Sequence, residues 1–195
     1  DDKSVVLVHN GINENYQELK DKLLKSGYTF YSQTDTEIAV KLVDYYYKKT
    51  GTPLEAISRA MLRIRGSYAF GIMFHDHPGK IFAARKDSPL IIGKNENGSL
   101  IASDVPAILD LTRNVYYIGN HEIAELTQDE IHFYNIDREE IQKEMVEIKW
   151  DAEAAEKGGY EHFMLKEIHE QPRAVRDTIG AYVKEGKIDF TETGL

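Results

Sequence analysis

The chain opens on an apolar run, residues 4–8 (SVVLV), of strand length and without alternation. Such a run predicts a strand covered on both faces. Its neighbours have to come from elsewhere, so the natural protein is expected to begin further upstream. A bend at His9-Asn10-Gly11 is expected to end the strand. Over residues 13–26 the period turns helical, with Tyr16, Leu19 and Leu23 on one face and Gly27 at the C-terminal stop. Residues 28–31 (YTFY) read as a short strand. A second helix opens at Thr34-Asp35-Thr36-Glu37, turns Ile38, Leu42, Val43 and Tyr46 inward and ends at Gly51. Pro53 starts a third, with Leu54, Ile57, Met61 and Ile64 inward.

From Ser67 the period becomes that of strands: Tyr68, Phe70, Ile72 and Phe74 alternate with small or apolar partners. After a turn at residues 76–79, strands are expected at 81–84 and 90–92 and, past the Asn97-Gly98 turn, at 99–102. Asp104 should cap a short helix reaching Leu109. Residues 115–118, 122–126 and 131–134 form a meander, and 144–150 close the series. Helices followed by antiparallel strands define an α+β layered domain, not a doubly wound sheet. Residues 151–160 (DAEAAEKGGY) read as a linker. Beyond it Phe163, Leu165 and Ile168 begin a helical pattern, and Pro172 opens a further helix through Val183. The tail, residues 161–195, is too short for a core of its own and reads as the edge of a following domain. The expected division is thus 1–150, 151–160 and 161–195.

Composition narrows the classes open to this chain. Of its 195 residues 42 % are apolar, and 12 Tyr and 7 Phe argue against disorder. A net charge of −9 spread along the chain argues against nucleic acid or an anionic membrane as the main partner. No apolar run approaches the roughly 18 residues that span a bilayer, and Asp1-Asp2-Lys3 does not begin a signal peptide. There is no cysteine, so disulfides, thiolate metal sites and cysteine nucleophiles are excluded within these residues. That count is compatible with the cytoplasm, the location expected.

Three clusters could carry chemistry. Asn-Gly is a strong hairpin signal, but a helix follows Gly11, which weakens that reading. An Asn amide beside a Gly N–H can donate to one developing oxyanion. On local sequence alone, a structural turn still outweighs catalysis. Thr34 and Glu37 make a capping box, which leaves Asp35 free to point outward. The helix dipole favours an acid there, and the functional alternative is that Asp35 binds an ammonium group. His75 and His77 flank Asp76, a conceivable metal site that a solvated turn explains better, since Pro78-Gly79 follows at once.

Together the segments carry more than each alone. VHNGINENYQELKDKLLKSGYTFYSQTDTEIAVKLV, IRGSYAFGIM, ARKDSPLIIG, IASDVPAIL and EIAELT resemble the glutaminase domain of class II, N-terminal-nucleophile glutamine amidotransferases. The tail HFMLKEIHEQPRAVRDTI, with Glu170-Gln171-Pro172, is similar to the glutaminase–sugar-isomerase junction in the sugar-aminating branch of that family. The resemblance implies an αββα four-layer sandwich, incomplete at its N-terminus, followed by the start of a sugar-isomerase domain. It implies that Asn10 and Gly11 form an oxyanion hole and that Asp35 holds the α-amino group of glutamine. It implies no metal or other cofactor. In the whole enzyme, it implies hydrolysis of glutamine and transfer of the ammonia to fructose 6-phosphate, giving glucosamine 6-phosphate.

The family's nucleophile is an N-terminal cysteine, and its substrate carboxylate is held by an upstream Arg. Neither is present, so this polypeptide alone is expected to be inactive. An apolar first strand without its upstream neighbours should self-associate, and the parent is expected to be a homodimer. The alternatives are another class II enzyme, of the amidophosphoribosyltransferase or asparagine synthetase type, or a non-catalytic module that binds glutamine or a partner.

Overall fold

The computed structural model describes residues 4–149, 158–180, 182–184 and 186–188. The chain divides into two units, Asp1–Lys149 and Trp150–Leu195.

The first unit runs β1 (Val5–Asn13), α1 (Tyr16–Lys25), α2 (Asp35–Thr50), α3 (Pro53–Met61), β2 (Gly66–Phe74) and β3 (Ile81–Lys86). It continues with β4 (Ile91–Asn95), β5 (Gly98–Ala102), β6 (Asn114–Tyr117), β7 (Glu122–Leu126), β8 (Ile131–Tyr134), β9 (Glu140–Ile141) and β10 (Val146–Glu147). Two antiparallel sheets result, in the orders β1-β2-β3-β7-β8-β9 and β10-β6-β4-β5.

Alternation on the central strands builds both cores. Phe70, Ile72, Phe74 and Phe82 face the helices and pack on Leu19, Leu23, Ile38, Leu42, Ile57 and Met61. The positions between them, Ala69, Ala83 and Ala124, face the second sheet and meet Leu90, Ile92 and Ile118. Large side chains therefore fill the helix side, while Ala69, Ala83 and Ala124 share the space between the sheets with Leu126 and Phe133. The layers are helices, six-stranded sheet and four-stranded sheet, three of the four that an αββα sandwich has.

The outer side of the four-stranded sheet is covered by residues 103–112, which form turns rather than the helix expected after Asp104. Asp104 does cap, accepting the Ala107 N–H at 3.1 Å. The bonds that follow are tight ones, Ile108 to Val105 and Leu111 to Ile108. Thr112 then leaves the turns, donating its hydroxyl to Lys94 O at 2.6 Å, just before β6. The Thr112 N–H bonds Ile108 O at 2.9 Å, a four-residue span that does not extend into a helix. Ile108 and Thr112 fit against Gly93, where a Cβ would lie 2.8 Å from each.

Three other local expectations need correction. Residues 28–31 form no strand, because tertiary groups take their polar atoms: Tyr28 donates to Asp44 Oδ2 at 2.7 Å, and the Lys41 ammonium donates to Thr29 O. The closing strand expected at 144–150 is reduced to β10, and Trp150 lies outside the described residues. β1 does not end at Val8 but runs on through His9, Asn10 and Gly11 to Asn13, in register with β2.

β1 is also not covered on both faces. It is an edge strand of the six-stranded sheet, and Val6, Val8 and Ile12 are 59, 67 and 68 % exposed. The four-stranded sheet ends at β5, whose Ile101 stands above Gly71 of β2, and β1 lies beyond it.

In the second unit, α4 (Phe163–Gly180) is one helix with Pro172 inside it, not two helices meeting there. A proline within a helix forfeits one backbone bond and need not break the run. Its apolar side chains, including Phe163, Ile168, Val175 and Ile179, are exposed. A small hairpin follows, β11 (Val183–Lys184) with β12 (Lys187–Ile188), so Val183 is in a strand. Of the expected linker, residues 151–157 lie outside the described residues, and Gly158 and Gly159 have positive φ. Among the described residues, no helix is long and apolar enough to cross a membrane.

Candidate functional site

The ladder between β1 and β2 fixes which β1 groups are free. At one end the His75 N–H bonds Ser4 O, and at the other the Glu14 N–H bonds Arg65 O. Hydrogen-bonded pairs alternate with unbonded ones in an antiparallel ladder. With Val5 opposite Phe74 and Gly11 opposite Tyr68, the even residues of β1 are bonded to β2. The odd residues, Val5, Leu7, His9, Gly11 and Asn13, therefore aim their N–H and C=O groups away from the sheet. Their side chains face the helices, and those of Val6, Val8, Asn10 and Ile12 face the other way.

Gly11 lies at the middle of the last three odd positions. Its φ is +140°, and a Cβ there would stand 2.2 Å from Ser67 O, so only glycine fits. Its N–H meets no partner among the described residues. The Asn10 side chain is exposed and likewise makes no hydrogen bond among them. Two residues on, about 7 Å along the strand, the Asn13 N–H does have a partner: it donates to Asp35 Oδ2 at 2.8 Å.

Asp35 is the first residue of α2, whose N-cap is Thr34, with its hydroxyl accepting the Glu37 N–H at 3.3 Å. The reciprocal half of the expected capping box is absent, since Ser32 Oγ takes the Thr34 N–H at 3.2 Å. Glu37 reaches further back, accepting the N–H groups of Tyr31 (2.8 Å) and Ser32 (2.7 Å) and the Ser32 hydroxyl, and pairing with Lys41 at 3.0 Å. Burial works to raise the Glu37 pKa, but the donors from Tyr31, Ser32 and Lys41 outweigh it and bring it down to about 2. Lys41 is itself buried, with its ammonium over the rings of Phe30 and Tyr31 at 5.0 and 4.5 Å. The loop before α2 is thus latched onto the helix, and the Asp35 carboxylate, 26 % exposed, stays clear of the latch.

On the strand side, the Asn13 amide also donates to Asp35 O at 3.3 Å. The His9 ring is 2 % exposed and places Nδ1 3.1 Å from Thr36 Oγ1 and 3.9 Å from Asp35 Oδ2. Burial lowers the His9 pKa, and Asp35 partly opposes this. His9 leans on Phe70 at 5.0 Å, and Phe70 stacks on Tyr68 at 4.6 Å. Burial and the nearby Asp87 raise the Tyr68 pKa above its ordinary range.

The structure therefore brings Gly11 and Asp35 to one open strand edge, with N–H donors and a carboxylate along it, and leaves the Asn10 side chain exposed on the strand's other face. Such an edge can receive an oxygen acceptor and a cation together. His9, Asn13 and Glu37 were not expected as its supports. The signal for the first two was present, since both share the odd positions of Val5 and Leu7, but it counts only once the strand extends through Asn13. His75 and His77 belong to a turn, where Asp76 accepts the Tyr47 hydroxyl at 2.6 Å. Among the described residues, no group of three or more His, Cys, Asp and Glu is placed to hold a metal ion.

This fold has known counterparts. Residues 1–110 match the family described as glutamine amidotransferase domain, and the chain belongs to that family. Curated relatives named glutamine–fructose-6-phosphate aminotransferase [isomerizing] include that of Clostridium acetobutylicum, 52 % identical over 95 % of this chain and 30 % of the relative. The corresponding proteins of Caldanaerobacter subterraneus and Pyrococcus horikoshii are 50 and 47 % identical over 94 and 93 % of this chain. The chain spans about 30 % of the length of these relatives. Among solved structures, the glutamine phosphoribosylpyrophosphate amidotransferase of B. subtilis has a TM-score of 0.57 at 23 % identity, over 70 % of this chain and 30 % of its own. At that identity the likeness establishes the shared fold alone.

Proposed function

We propose that this chain is part of a glutamine-dependent enzyme that aminates fructose 6-phosphate, with residues 1–150 in its glutaminase domain and 161–195 opening its sugar-isomerase domain. The observation that supports the reading is the unpartnered Gly11 N–H on the free edge of β1, next to the exposed Asn10 side chain and two residues from Asn13, whose N–H donates to the Asp35 carboxylate. The relatives favour sugar amination over the phosphoribosyl alternative: 52 % identity over nearly the whole chain, against 23 % for the phosphoribosylpyrophosphate amidotransferase. The products are glutamate and glucosamine 6-phosphate, and the setting is the cytoplasm.

Asp35 takes the α-amino group of glutamine. An extended glutamine places its side-chain carboxamide about 5 Å away, four bonds of roughly 1.5 Å, which brings it alongside Gly11. The carbonyl oxygen lies between the Asn10 amide and the Gly11 N–H. A thiolate attacks the carboxamide carbon, the oxygen takes up the negative charge, and the two donors stabilise it. The proton the thiol gave up on attack passes to the nitrogen, which leaves as ammonia, and water hydrolyses the thioester to glutamate and the free thiol. These 195 residues contain no cysteine, so the thiol has to come from outside them.

The test is kinetic. In the complete enzyme, Asn10→Ala lowers glutaminase kcat by roughly 10²–10³ with little change in the KM for glutamine, because the donor acts on charge that develops in the transition state. An unchanged kcat removes Asn10 from the site. The 195-residue polypeptide alone releases no ammonia from glutamine.

A further inference from the structure

We propose that His9 is a positioning residue: its imidazole ties the first turn of α2 to β1 and so sets the distance between the Asp35 carboxylate and the Gly11 N–H. The inference rests on the reading of Asp35 as the glutamine anchor.

The geometry is that of a bracket. His9 and Asn13 occupy the odd positions on either side of Gly11, and both bond α2 within its first two residues. Asn13 holds Asp35 directly, through the carboxylate and the main-chain carbonyl. His9 holds Thr36 through Nδ1 and faces the Asp35 carboxylate across 3.9 Å. Gly11 has no side chain with which to reach the helix, so its placement relative to Asp35 is inherited from these neighbours.

The ring pays a cost that packing alone does not explain. Among the described residues Nε2 is buried without a hydrogen-bond partner, a loss that a phenyl ring in the same slot against Phe70 avoids. What the imidazole offers over phenyl is Nδ1. Asp35 is the charged group facing it from α2, and β2 offers Phe70. A proton on Nδ1 faces both Thr36 Oγ1 and the carboxylate, so the neutral Nδ1–H tautomer is the one the surroundings favour.

The test separates this role from simple packing. In the complete enzyme, His9→Phe keeps the ring and loses Nδ1. The expected result is a rise in the KM for glutamine of about tenfold, the equivalent of one lost hydrogen bond, with kcat within about threefold. His9→Asn, whose amide can reach Thr36, restores most of the KM. Combined with Asp35→Asn, His9→Phe adds no further rise in KM, because His9 acts through Asp35. If Asp35→Asn raises KM and His9→Phe does not, or if the two effects add, the positioning role is overturned and the reading of Asp35 stands. If Asp35→Asn leaves KM unchanged, that reading fails and takes the role with it. Should the variants not fold, long-range proton–nitrogen NMR of the unaltered chain decides. A neutral His9 ring with its proton on Nδ1 at pH 7 supports the role; an imidazolium, or a ring averaging between tautomers, overturns it.

Discussion

At the scale of single residues, the site depends on what Gly11 lacks. The 2.2 Å approach to Ser67 O and the positive φ leave no room for a side chain. Gly11→Ala should therefore destabilise the chain by about 1–3 kcal/mol, read as a lower urea midpoint at unchanged slope. Asp35→Asn is the contrasting case. Its amide oxygen can still accept the Asn13 N–H, so the melting temperature should barely move, while the KM for glutamine in the complete enzyme rises about tenfold or more with the lost ammonium partner. An equal loss of stability in the two variants would contradict this division. Asn10, Gly11 and Asp35 were named as candidates through whole motifs in the sequence. His9 and Asn13 were not, because their roles follow from strand parity, and the strand was expected to stop short of both.

At the scale of elements, the latch ahead of α2 carries a signature in pH. The Glu37 pKa is lowered in the folded chain from 4.5 to about 2. Its contribution to stability is therefore present in full above pH 4.5 and is lost as the pH falls towards 2. The urea midpoint of the chain should drop across that window, and Glu37→Gln should flatten the drop. Parallel pH profiles for the two proteins would show that Glu37 is not the latch. The sequence revealed the capping residue but not the latch, since the motif predicts that Glu37 returns to Thr34, whereas Ser32 had already taken that N–H. Strands β7 and β8 were legible to the residue because turn-forming residues, Gly119-Asn120 and Gln128-Asp129, bound the apolar runs. Residues 28–31 misled because aromatic and β-branched side chains favour strands wherever they occur. Their placement is decided by distant groups, Asp44 and Lys41, that no local pattern contains.

At the scale of the molecule, β1 joins a free backbone edge to an exposed apolar face. No Lys, Arg, Asp, Glu or Pro lies within Val5–Asn13 to discourage pairing. A second copy can lie antiparallel along this edge without opposing like charges. We therefore expect the isolated chain to self-associate, with a mass by light scattering that rises with concentration over the micromolar range. Val8→Lys should return it to monomer. A constant monomer mass in the unaltered chain would refute this. The layer order was legible from the switch of period near Ser67, because that switch reflects which faces are buried. The uncovered face of β1 was not, since an apolar run does not say which of its two sides finds a partner.

The two-residue repeat of β1 also restricts how this strand can change over evolutionary time. Losing or gaining one residue between Val5 and Gly11 would exchange the two faces, turning the Asn10 amide inward and handing the Gly11 N–H to β2. Length changes in this stretch should then be inherited only in pairs, and lineages should diverge here by replacement rather than by insertion or deletion.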